Sequence, residues 1–154
     1  MKVIKAKTAG FCFGVKRAVD TVYKQVDTKC GQIYTYGPII HNEEVIKDMR
    51  DKGVIVLRSE EDLDMISQGT VIIRSHGVEK RIYEKIEQKG LRIVDATCPF
   101  VKKIHNIVSE KSGEGFHIII IGNPEHPEVV GIKGWAKDNV TVIQSAEDAE
   151  CFTA

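Results

Sequence analysis

The chain carries an internal repeat, and this limits its fold more than any other feature. With Cys12 set on Cys98, the segment Thr8-Ala9-Gly10-Phe11-Cys12-Phe13-Gly14-Val15-Lys16 aligns with Asp95-Ala96-Thr97-Cys98-Pro99-Phe100-Val101-Lys102 at an offset of 86 residues. Gly37-Pro38-Ile39-Ile40-His41-Asn42-Glu43-Glu44-Val45 then matches Gly122-Asn123-Pro124-Glu125-His126-Pro127-Glu128-Val129-Val130 at an offset of 85, and Val54–Asp62 matches Val140–Asp148 at 86. Three blocks in one order at near-constant spacing define a supersecondary unit used more than once.

Within the units, short β-branched runs alternate with amphipathic stretches. Strands are expected at Val3–Lys7, Ile33–Tyr36, Val54–Leu57, Val71–Arg74, Ile93–Ala96, His117–Ile121 and Val140–Ile143. Helices are expected at Val15–Thr28, Glu43–Lys52, Glu60–Ser67, Glu79–Lys89, Val101–Lys111 and around Val129–Lys137. Ser59 with Asp62 reads as a capping box with Asp in place of Glu, and Gly53 and Gly90 stand where helices end. Strand-helix alternation implies an α/β fold of repeated parallel-sheet lobes joined by right-handed crossovers. We expect a first unit over residues 1–97, its opening strand (1–9) packing against a third unit absent from this chain. An incomplete second unit would occupy 98–154, about one and a half lobes in all. The unit-two counterpart of Thr70–Arg74 would begin near position 156, so the chain reads as a piece of a longer protein.

Charge narrows the function. Twenty-two basic residues balance 22 acidic ones, giving no case for nucleic acid or an anionic membrane, and no run is apolar enough to span a bilayer. With no signal-type leader, the expected location is the cytoplasm. Four cysteines lie far apart with no C-x-x-C zinc pattern.

Cys12 and Cys98 each directly precede a helix, and His41 and His126 each follow the next strand. These are strand carboxyl ends, the ligand-binding rim of open α/β sheets. A thiol at a helix start is stabilised as thiolate, which suits a metal ligand or nucleophile, and helix starts also attract phosphate. Two cysteines cannot complete a zinc or four-iron site, which needs three or four protein ligands; a third repeat would add a third thiolate. Against this stand plainer roles: buried small hydrophobes for the cysteines, turn or capping roles for His41, His76 and His126, and a first-turn acid for Glu128. Cys30 and Cys151 fall outside the repeat and receive no role; His105 and His117 read as structural.

The blocks Gly10-Phe11-Cys12-Phe13-Gly14-Val15, Gly37-Pro38-Ile39-Ile40-His41-Asn42, Arg74-Ser75-His76-Gly77-Val78, Asp95-Ala96-Thr97-Cys98-Pro99 and Gly122-Asn123-Pro124-Glu125-His126-Pro127-Glu128 closely resemble the 4-hydroxy-3-methylbut-2-enyl diphosphate reductases of the non-mevalonate isoprenoid pathway. The resemblance implies a three-lobed cloverleaf around a 4Fe-4S cluster. It implies reductive dehydroxylation of the allylic diphosphate to isopentenyl and dimethylallyl diphosphates, with electrons from a ferredoxin or flavodoxin type partner. By motif position, Cys12 and Cys98 would be two of three cluster ligands. His41 and His76 would bind the diphosphate, His126 would lie close to it and to the proton path, and Glu128 would be the proton-relaying acid. The third cysteine and the serine and asparagine residues of the diphosphate pocket would lie beyond this chain, so the chain alone is expected to be inactive. Two other readings remain: a non-enzymatic phosphate- or nucleotide-binding α/β module, and a zinc-binding structural protein using Cys12, Cys98 and a histidine.

Overall fold

The computed structural model describes residues 1–28 and 31–152; Cys30 lies outside them. The elements are α1 (Phe13–Thr28), β1 (Ile33–Tyr36), α2 (Glu43–Asp51), β2 (Ile55–Leu57), α3 (Glu60–Asp64), β3 (Thr70–Ile73), α4 (Lys80–Gln88), β4 (Arg92–Asp95), α5 (Pro99–Gly113), β5 (Ile118–Ile121), α6 (Pro127–Lys133), β6 (Val140–Ile143) and α7 (Ala146–Cys151). Strands β1 to β4 form an all-parallel sheet in the order β2-β1-β3-β4, and β5 pairs with β6 in a second parallel sheet.

Parallel strands covered on both faces must be apolar on both faces. β3 meets this fully: all four of its residues, Thr70-Val71-Ile72-Ile73, are buried. On one face Ile72 joins Ala18, Val19 and Val22 of α1, Met49 of α2, and Ile33, Ile39, Ile40 and Val54. On the other, Val71 and Ile73 join Leu57, Leu63 of α3, and Ile82 and Ile86 of α4. The α1 stripe Val15, Ala18, Val19, Val22 and Val26 has the spacing of one helix face, which seats α1 on the sheet.

The repeat in the sequence is a repeat in space. The run α1-β1-α2-β2-α3 recurs as α5-β5-α6-β6-α7, and pairing Tyr34 with Ile55 becomes pairing Ile119 with Thr141. Gly37 N–H donates to Leu57 O at 2.7 Å, and its counterpart Gly122 N–H donates to Ile143 O at 2.9 Å. Ser59 Oγ accepts from Asp62 N–H at 3.3 Å while Asp62 accepts from Arg58 N–H at 2.7 Å. In the second copy, Ser145 Oγ accepts from Asp148 N–H at 3.1 Å and Asp148 accepts from Ser145 and Gln144 N–H, completing a capping box.

Several expectations need correction. Val3–Lys7 forms no strand with the described residues: residues 1–12 are exposed, and the third unit expected to supply their partner edge and its ladder hydrogen bonds is absent from this chain. α5 and α6 begin two residues before the expected starts because Pro99 and Pro127 occupy the first helical turn, where a missing N–H costs nothing. α3 stops at Asp64 and α6 at Lys133, both short of expectation, and α7 was not anticipated.

The two sheets are held together at a seam. Trp135, after α6, stacks on His105 of α5 (ring centroids 5.2 Å apart, 19° between planes) and donates its indole N–H to Val78 O at 2.9 Å. Trp135→Phe keeps the stack and removes the donor; it is expected to lower stability by about 1 kcal/mol in denaturant unfolding.

Phe100, Ile104 and Ile107 form an exposed apolar stripe along α5, with Ile121 of β5 also exposed at 84%. No helix among the described residues is long and apolar enough to cross a membrane.

Candidate functional site

Strand order reverses between β1 and β3, so the crevice outside their carboxyl ends is the topological switch point, the usual ligand position in open α/β sheets. The loop after β1 brings His41 there, the loop after β3 brings His76, and the loop after β5 brings His126. Ring centroids are 4.8 Å apart for His41 and His76, 6.1 Å for His76 and His126, and 6.4 Å for His41 and His126. Three loops from two sheets therefore converge on one histidine cluster.

Buried Ser75 ties these loops together. Its N–H and Oγ both donate to Ile39 O, at 3.3 and 3.0 Å, holding the loop that carries His41; its carbonyl accepts from Cys98 N–H at 2.9 Å. A single residue beside His76 thus fixes the spacing of His41, His76 and Cys98. Arg17 of α1 reaches across to Thr97 O at 2.9 Å and Asp95 O at 3.3 Å, drawing the Cys12 helix to the Cys98 loop. Asp95 accepts from Thr97 N–H (3.0 Å), Lys102 (2.7 Å) and the Tyr83 hydroxyl (3.3 Å). Burial pulls the Asp95 carboxyl upward, but the contacts from Lys102 and Thr97 outweigh it and hold the pKa below its usual range.

Both cysteines cap helices. Cys12 O accepts from Lys16 N–H and Cys98 O from Lys102 N–H, each at 2.9 Å, so each cysteine occupies the position before the first helical residue. Cys12 is exposed and Cys98 half-buried. Cys98 lies against Gly14, two residues beyond Cys12: a Cβ built on Gly14 would stand 2.6 Å from Cys98 Sγ. The glycine leaves room for the sulfur, a cradle that any side chain would fill. No group of three or more His, Cys, Asp or Glu side chains among the described residues is arranged to hold a metal ion. Cys12 and Cys98 fit a cluster only as part of its ligand set.

His126 is also the cap of α6: its Nδ1 accepts from Glu128 N–H at 3.2 Å. That bond leaves Nδ1 unprotonated and puts the ring proton of neutral His126 on Nε2, free to donate. His76 is pushed down to about 4 by burial first, then by the nearby His41, Arg74 and His126. A cluster of three donor-capable histidine rings favours an anionic oxygen ligand. Glu128 sits half-buried in the first turn of α6.

Sequence reasoning did not single out Ser75, Arg17 or Arg74. Ser75 and Arg74 lie inside the block containing His76, yet nothing local distinguishes a loop serine that bridges two strand ends from an ordinary one. Cys151 lies exposed in α7, away from this cluster's loops.

The family described as LytB protein matches residues 3–153. The chain belongs to the LytB family. It is 48% identical over 151 residues to the 4-hydroxy-3-methylbut-2-enyl diphosphate reductase of Caldanaerobacter subterraneus subsp. tengcongensis, covering 97% of this chain and 52% of that relative. It is 50% identical to the reductase of Thermoanaerobacter sp. strain X514 at the same coverage. The solved E-1-hydroxy-2-methyl-but-2-enyl-4-diphosphate reductase of Plasmodium falciparum superposes with a TM-score of 0.89 at 32% identity, covering 96% of this chain and 46% of that one. A second solved structure, of (E)-4-hydroxy-3-methyl-but-2-enyl diphosphate reductase, the terminal enzyme of the non-mevalonate pathway, gives 0.79 at 39% identity, covering 95% and 52%. This LytB chain spans about half the length of the curated relatives it matches.

Proposed function

We propose that this LytB chain provides the diphosphate-binding and cluster-holding rim of a reductase that converts (E)-4-hydroxy-3-methylbut-2-enyl diphosphate to isopentenyl and dimethylallyl diphosphates. The observation that carries the reading is the meeting of the His41, His76 and His126 loops beside Cys98, in a chain 48% identical to such a reductase along nearly its whole length. The reaction takes up two electrons and two protons, breaks the allylic carbon–oxygen bond and releases the hydroxyl as water. The electrons come from a ferredoxin or flavodoxin type protein, and the reaction takes place in the cytoplasm, where reducing conditions keep thiols free.

A 4Fe-4S cluster, when bound, supplies electrons one at a time and Lewis acidity at an iron without a thiolate. Cys12 and Cys98 would be two of its ligands, with the third from outside residues 1–154. Each cysteine stands at the start of a helix, and Arg17 keeps the Cys12 helix against the Cys98 loop. His41 and His76 would bind the diphosphate, whose charge would offset the burial, and then the neighbouring positive groups, that hold the His76 pKa down. His126 would present Nε2–H to the substrate while its Nδ1 stays occupied by the α6 amide. Glu128, in the first turn of that helix, would hand a proton to the departing hydroxyl.

The test joins this chain in frame to the carboxyl-terminal half of the Thermoanaerobacter relative and purifies the product without oxygen. A brown protein that reduces the diphosphate substrate with a strong one-electron donor is expected, and Cys12→Ser and Cys98→Ser should each bring turnover to background with loss of iron. Cys variants that keep iron and activity would refute the assignment and favour a phosphate-binding module with incidental thiols.

A further inference from the structure

A net charge of zero conceals a local imbalance. Ten ion pairs occur among the described residues, yet Lys47, Arg50, Arg58 and Arg74 enter none of them. All four line one groove of about 550 Å³ at the carboxyl end of β1 and β2, walled by α2. Two carboxylates, Glu43 and Glu44, also face it, leaving the cations in excess.

Arg74 is the anchor. It is half-buried, donates through Nε to Gly77 O at 3.3 Å, and has no carboxylate partner. Its guanidinium lies against Gly37, whose φ of +73° and missing Cβ make the space: a Cβ there would stand 2.5 Å from Nη1. The terminal nitrogens of a guanidinium form a fork suited to phosphate oxygens, and a half-buried one without a counter-ion is costly to keep. Arg58 and Arg74 also line an adjoining cavity of about 170 Å³ that reaches Val130 and Gly131 of α6, so the two cations stand where two hollows meet.

None of His41, His76 or His126 lines either hollow. The groove is concave and of the volume typical of small-molecule sites, which argues against a flat contact with an acidic protein. Pro38, Ile46 and Val56 give it an apolar wall beside the cations.

We propose that this groove is a second anion site, distinct from the histidine cluster, that takes a small phosphate- or diphosphate-bearing organic molecule, with Arg74 at its base and Lys47, Arg50 and Arg58 on its rim. Such a site would let a phosphorylated metabolite act on the loops after β1 and β3, which also carry His41 and His76.

Calorimetric titration of the chain with inorganic diphosphate tests this, in a His41→Asn/His126→Asn background that disables the histidine cluster. Saturable one-to-one binding is expected, weakened at least about tenfold when Arg50→Gln and Arg58→Gln are added. Both arginines are exposed, so the fold should survive, as an unchanged far-ultraviolet circular dichroism spectrum would verify. Lys47→Glu, also at an exposed position, should weaken binding independently. Absence of saturable binding, or affinity indifferent to the arginine and lysine substitutions, overturns the proposal. Binding of a hexaglutamate peptide but not of diphosphate also overturns it, assigning the groove to an acidic protein. Each outcome is independent of the cysteine experiment above.

Discussion

Gly77→Ala is expected to destabilise the chain by about 2–5 kcal/mol in denaturant unfolding, one of the largest effects available to a single methyl group here. Two costs act at once. Gly77 has φ of +71°, a left-handed conformation that costs an alanine about 1–2 kcal/mol. The added Cβ would also collide with His105 Cε1 and come within 3.1 Å of Thr97 Cγ2. His105 cannot retreat, because it is buried and stacked on Trp135, so overpacking adds about 1–3 kcal/mol. Relief would come by lifting the His76-Gly77 turn, and Arg74 Nε donates to Gly77 O in that turn. The histidine cluster should therefore open along with the loss of stability. Gly53→Ala is the control: it too has positive φ (+87°), but nothing lies within 4 Å of its Cβ position, so it should show the backbone cost alone. Equal losses at the two positions would show that His105 does not press on the Gly77 turn.

The sheet and the relation between the two sheets could be read from sequence because they rest on repeated local patterns. β3 is apolar at every position from Val71 to Ile73, and the offset between Cys12 and Cys98 is the offset between α1 and α5. What pattern could not reveal was anything set by a partner distant in sequence. Val3–Lys7 alternates like a strand, but alternation cannot supply the neighbouring edge a strand requires. Pro99 and Pro127 begin helices instead of preceding them, since the residue before a proline disfavours helix while proline itself suits the first turn. At the site, His41, His76 and His126 were legible because each follows a strand. Ser75 was not, because its role lies in three bonds reaching Ile39 and Cys98, 36 and 23 positions away. His105, read as structural, is so in a specific way: its ring supports the turn that carries His76.

Acidification from pH 6.5 towards 4 is expected to remove several kcal/mol of stability, because two histidines are held neutral by the fold. Burial is the main cause for both: His105 falls to about 4, with Lys102 adding to the effect and Asp95 opposing it, and His76 also falls to about 4, with His41, Arg74 and His126 adding to it. The unfolded chain takes up protons near pH 6.5 while the native chain does not until near 4. Stability therefore rises with pH across that window, is fully present above it, and is lost as pH falls through it. Each histidine contributes on the order of 3 kcal/mol at most. Asp95, with its pKa depressed below 3.8, loses its contribution only at lower pH and does not confuse the window. Urea midpoints between pH 7 and 4 measure the slope. His105→Leu should flatten it while lowering stability at pH 7, since Leu cannot stack on Trp135; His76→Asn should flatten it with little cost at pH 7. The two should fall short of full additivity, because the His105 ring packs under the Gly77 turn that follows His76 and the sites share that neighbour. Diphosphate should act on one slope only: an anion beside His76 stabilises its imidazolium and reduces the acid loss, while His105, sealed beneath Gly77, should be indifferent to it. An unchanged slope in both variants would mean that these rings are protonated in the native state at pH 6, and a charged His76 would then meet the diphosphate without first taking up a proton.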